Sequence, residues 1–67
     1  MPCVKLVAQN SEEDDFLKAS DDYGIYQRAR CLGCNYEQAM GLVDFVRHAK
    51  VGDKYETGGL TAVVGDD

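Results

Sequence analysis

Residues 35–52, NYEQAMGLVDFVRHAKVG, constrain this chain more than any other stretch. Asn35 offers a side-chain oxygen to cap a helix, Gln38 stands three residues on to complete a capping box, and Glu37 falls where the positive end of a helix dipole favours an acid. At 100° per residue, Tyr36, Ala39, Met40, Leu42, Val43, Val46 and Ala49 form one broad apolar arc with Phe45 at its edge. Glu37, Asp44 and His48 gather opposite. Arg47, His48 and Lys50 suit the negative end, and Gly52 can adopt the left-handed conformation that stops a helix. A helix over about residues 36–51 follows. Its apolar arc cannot bury itself, so the remaining segments must supply a surface for it.

Those segments read as strands. In PCVKLVAQ, residues 2–9, Val4, Leu6 and Ala8 alternate with Cys3, Lys5, Val7 and Gln9. In YGIYQRARCL, residues 23–32, Tyr23, Ile25, Ala29 and Cys31 share one side, with Gln27 as a misfit, and Tyr26, Arg28, Arg30 and Leu32 take the other. Alternation makes this the second strand. Near the C-terminus Gly58-Gly59 signals a two-residue hairpin turn, which sets Thr57 against Leu60 and Tyr55 against Ala62. One face of that hairpin is Tyr55, Leu60, Ala62 and Val64; the other is Lys54, Glu56, Thr61 and Val63. The expected fold is α+β: a small antiparallel sheet in ββαββ order, with one amphipathic helix on one face.

At 67 residues the chain is expected to be a single domain, 1–67. A chain of this size buries only about 60% of the surface exposed on unfolding, so oligomerisation is an expected source of stability. Three cysteines cannot all pair within one chain, and neither a leader nor a membrane-spanning run is evident. A reduced, cytoplasmic protein is the expectation. Charge is unevenly placed. Glu12, Glu13, Asp14, Asp15, Asp21 and Asp22 face Lys18 alone within residues 11–22, so this segment carries the whole net charge of −5. It is expected to form an acidic loop or a short helical excursion.

Cys31-x-x-Cys34 could be half of a zinc site or a redox dithiol, but a single copy is a weak signal. His48 lies fourteen residues beyond Cys34. Along a helix that is about 20 Å, too far for both to hold one ion. Cys3 points to the side opposite Cys31 on the expected strands. Cys31 and Cys34 therefore stay as secondary metal candidates, and His48 is better explained by a pair with Asp44 one turn earlier. The glycines of TGGL lack the lysine and hydroxyl of a phosphate loop. Neither catalytic residues nor a cofactor is expected.

The alternation that defines the core also defines the uncovered side of the sheet. Lys5, Val7, Tyr26, Arg28, Arg30, Lys54 and Val63 are expected there, a basic and part-aromatic face opposed only by Glu56. Aromatic residues with arginine are enriched at interface centres, so a non-enzymatic protein-binding role through this face and the acidic loop is the leading expectation, with a homodimer first and a larger host protein second as partner. Single-stranded nucleic acid is the alternative, with Tyr26 stacking a base. No membrane role is expected.

Overall fold

The computed structural model describes residues 1–9 and 14–66. The chain is α+β, with a four-stranded antiparallel sheet covered on one face by helices. In chain order the elements are β1 (Pro2–Ala8), β2 (Asp15–Lys18), α1 (Asp22–Cys31), α2 (Tyr36–His48), β3 (Lys54–Thr57) and β4 (Leu60–Asp66). The strands lie in the order β2-β1-β4-β3. Two terminal hairpins thus meet through their long members, and β1 pairs with β4 from Pro2↔Asp66 to Ala8↔Leu60.

Helix α2 forms where its caps require. The Asn35 side chain accepts from the Gln38 backbone N–H at 2.8 Å, and the Gln38 side chain accepts from the Asn35 N–H at 2.9 Å. The helix ends at His48, before the expected Val51, because Ala49 turns extended and residues 50–53 form a tight turn of their own. There Lys50 N–H donates to the Asp53 carboxylate at 2.9 Å, and Gly52, at φ 99°, donates to the Val64 carbonyl at 2.7 Å. Gly52 therefore locks the turn onto β4 instead of stopping the helix directly. The C-terminal hairpin has the expected register, Thr57↔Leu60 and Tyr55↔Ala62. Gly58 and Gly59 both have positive φ, 56° and 79°, as a primed turn demands.

Residues 23–32 are not a strand. They belong to α1, and both of its ends are signalled in the sequence. Asp21 accepts the Gly24 N–H at 3.1 Å, with Asp22 in the first turn and Arg28 and Arg30 in the last. At the other end Gly33, φ 108°, donates to the Arg30 carbonyl at 3.3 Å, and Cys34 donates to the Ala29 carbonyl at 3.0 Å. That double bond pattern is the Schellman motif, and its apolar clasp is Cys34 on Ala29, both buried. The reading as a strand placed Tyr23, Ile25, Ala29 and Cys31 in the core. Only Ile25 and Ala29, four apart and hence on one helical face, are buried; Tyr23 and Cys31 are exposed.

The second strand lies within the acidic segment. Asp15–Lys18 pairs with β1 as a short edge strand, Val4↔Leu17 and Lys5↔Phe16. Ser11, Glu12 and Glu13, expected at the start of a helical excursion, lie outside the described residues.

The core is one cluster. Val4 and Leu6 from β1, Leu60 and Ala62 from β4, Ile25 and Ala29 from α1, and Ala39, Leu42, Val43 and Val46 from α2 meet in it. Leu6, Ile25, Leu42, Leu60 and Val4 are the largest wholly buried side chains. Each contributes about 1.5–3 kcal/mol by leaving water. Tyr36 and Met40, expected inside with the rest of the α2 arc, stay exposed at 59% and 43% because α1 lies alongside α2 and turns them toward the helix–helix surface. No described helix is long and apolar enough to cross a membrane.

Candidate interaction surfaces

Among the described residues, the fold gathers exposed apolar side chains on the open sheet and between the helices. The first of these surfaces is the side of the sheet away from the helices. Strand register places its residues in rows: Phe16, Lys5, Val63 and Lys54 run across all four strands, and Val7, Thr61 and Glu56 run beside them. Directly opposed residues on one face sit about 4.5–5.5 Å apart at Cβ, so each row is a continuous patch. Phe16 is 69% exposed. Lys18, opposite Cys3, adds a third lysine at the β2 edge. Among the described residues of these rows, Glu56 is the acid facing Lys5, Lys18 and Lys54.

The expected basic face is thus divided. Lys5, Val7, Lys54 and Val63 lie on the open sheet as foreseen. Tyr26, Arg28 and Arg30 do not, because a helix and not a strand carries them. Arg28 Nε donates to Asp15 at 2.8 Å, which ties α1 to β2, and Arg30 is exposed in the last turn of α1. Sequence reasoning missed Phe16 and Lys18. The available signal was alternation in DFLK, where Leu17 turns toward Val4 and its neighbours turn away.

The second surface is a groove of about 440 Å³ between α1 and α2. Tyr26 meets Tyr36 edge to face with ring centroids 6.1 Å apart, and Met40 and Val43 continue the apolar lining. Arg47 closes one end by binding Asp22 with Nε at 2.9 Å and Nη2 at 2.6 Å, and this carboxylate raises the already high Arg47 pKa. Much of the acidic segment is therefore in use: Asp15 and Asp22 hold arginines and Asp21 caps α1.

The cysteines are kept apart in character. Cys31 is exposed and Cys34 is buried, its thiol directed at the Thr57 carbonyl at 3.8 Å. Burial pushes the Cys34 pKa up, opposite to what an activated thiolate or a zinc ligand needs. Among the described residues no group of three or more His, Cys, Asp or Glu side chains could hold a metal ion. His48 stands 3.6 Å from Asp44 on the exposed side of α2. No protein-family model matches this chain, and neither the curated proteins nor the solved structures contain a match to it.

Proposed function

We propose that this chain is a small non-enzymatic interaction protein that docks an acidic surface of a larger host protein on the open face of its sheet. The supporting observation is the row Phe16, Lys5, Val63 and Lys54, in which an exposed aromatic ring and a valine alternate with two lysines. An apolar anchor supplies affinity, and lysines around it select a partner of opposite charge. Lys5, Lys18 and Lys54 would meet their own kind across a two-fold axis, so this face suits an acidic partner better than a second copy. A reduced, cytoplasmic setting belongs to the same proposal and draws on the three free cysteines.

A second reading, single-stranded nucleic acid, draws on the same ring among lysines. The absence of Tyr26, Arg28 and Arg30 from this face, and the net charge of −5, count against it. Affinity purification of the tagged chain from its native cell, with and without nuclease, separates the two. The proposal expects a stoichiometric protein partner that survives nuclease and is lost from the Lys5→Glu, Lys54→Glu double variant. Release of the bound material by nuclease, with binding that falls steeply as salt rises, would transfer the face to nucleic acid.

A further inference from the structure

Strand β3 is the last in the sheet, and its neighbour β4 lies on one side only. Val64 N–H donates to the Asp53 carbonyl at 3.0 Å, and the direction of these backbone groups alternates along a strand. Those of Tyr55 and Thr57 therefore point at β4, and those of Lys54 and Glu56 point outward. The opposite edge is partly closed by its own chain, because the Lys18 carbonyl of β2 accepts the Asp21 N–H at 3.0 Å. Outward N–H and C=O groups at alternate residues are matched by an extended backbone.

Side chains identify whose backbone that is. Lys54 and Glu56 are exposed on the open-face side of β3, with Tyr55 between them on the helix side. A two-fold axis normal to the sheet at Tyr55 lays β3 antiparallel on β3 of a second copy, with Lys54 of each opposite Glu56 of the other. In this register both pairs are of opposite sign and both fall on the outward backbone groups, so each also exchanges its N–H and C=O bonds. Sliding the second strand by two residues sets Lys54 on Lys54 or Glu56 on Glu56, and like charges directly opposed destabilise a sheet. A lysine alone on an edge repels a second copy; Glu56 turns this one into a match. On the axis Tyr55 meets Tyr55. Its ring stacks on Phe45 of α2 with centroids 5.0 Å apart, and both rings are only half-buried within the chain. Pairing at the axis covers part of what they leave in water, and tyrosine is enriched at interface cores.

We infer that β3 is a homodimer edge, occupied by β3 of a second copy in antiparallel register about Tyr55, which joins the two sheets into one. The lysine-bearing faces then lie side by side instead of against each other, and Lys5 and Lys18 of each copy stay open to the acidic partner proposed above. A four-residue strand and an aromatic pair make a small interface, so the dimer is a weak one that high micromolar concentration populates.

Sedimentation equilibrium of the full chain tests this directly. The wild type is expected to sediment at twice 7.4 kDa at high micromolar concentration. Lys54→Glu and Glu56→Lys chains each oppose like charges and are expected to weaken self-association by about tenfold or more. Mixed, they form a heterodimer in which both contacts are again of opposite sign, and the double exchange Lys54→Glu, Glu56→Lys restores the homodimer. Glu56→Pro removes an outward N–H that β4 does not use, so it is expected to keep the far-ultraviolet circular dichroism of the wild type and to lose the dimer. Lys5→Glu, on the open face of β1, is expected to impair host docking and leave the dimer intact, which separates this inference from the proposed function. A wild type that stays monomeric at high micromolar concentration overturns the inference. So does a mixture of the two charge variants that forms no heterodimer, and so does a folded Glu56→Pro chain that still dimerises. Should Glu56→Pro fail to fold, the charge exchange decides alone.

Discussion

Arg28 Nε donates to Asp15 Oδ2 at 2.8 Å, joining the exposed side of α1 to the edge strand β2 across thirteen positions of sequence. This contact removes Arg28 from any role on the open sheet and fixes the strand that brings Phe16 to that surface. Both side chains are partly exposed, 48% and 26%, so screening keeps the pair's contribution small, about 0.2–1 kcal/mol. Arg28→Ala is expected to cost that much in urea unfolding, less at high salt, and to speed hydrogen exchange at the β2 amides more than at those of β4.

Gly33 carries a separate expectation. Its φ of 108° closes the Schellman motif, and a Cβ at this position would meet nothing within 4 Å. Gly33→Ala should therefore destabilise through backbone strain alone, by about 1–2 kcal/mol, read as a shift of the denaturant midpoint with unchanged slope.

Gly24 fails for a different reason. A Cβ there would collide with Asp21 Oδ2, the other oxygen of the carboxylate whose Oδ1 caps α1. Gly24→Ala should displace that cap and cost about 1 kcal/mol, whereas Ala is ordinarily the better helix former. A denaturation midpoint equal to or above that of the wild type would mean that the cap contributes nothing.

How much of this was legible beforehand divides along physical lines. Helix α2 and the Gly58-Gly59 hairpin were readable because their caps and turn residues lie within a few positions of one another. Helix α1 was misread because Ile25 and Ala29, four apart, satisfy a period of two as well as one of 3.6. Gln27, the misfit of the strand pattern, was the discriminating residue, together with Asp21 and Gly33 at the flanks. On the candidate surface, Lys5, Val7, Lys54 and Val63 were found because β1, β3 and β4 were correct. Phe16 and Lys18 were missed because β2 is four residues long, so the alternation in DFLK is too brief to mark a strand apart from its pairing with β1. The groove could not be foreseen without the second helix.

The cysteines should respond differently to thiol reagents and to pH. Exposed Cys31 is expected to be modified in the native protein, and buried Cys34 only on unfolding. Because burial raises the Cys34 pKa, the folded state holds its proton where the unfolded chain has released it. This contribution to stability is intact below about pH 8.5, where an unfolded thiol begins to ionise, and is lost as pH rises from there through the raised folded pKa. Denaturation followed from neutral to alkaline pH should show a steeper decline for the wild type than for Cys34→Ala; parallel curves would remove the effect.

Position-specific photocrosslinking tests the docking role of the open sheet face most directly. A photoreactive phenylalanine analogue replaces Phe16 in one chain and exposed Val51 in another, and both are irradiated in native extract. The account predicts one dominant protein adduct from position 16, resistant to nuclease, weak from position 51, and lost when Lys5 and Lys54 are changed to Glu. Equal adducts from both positions, or an adduct at position 16 that persists after both lysines are reversed, would contradict it.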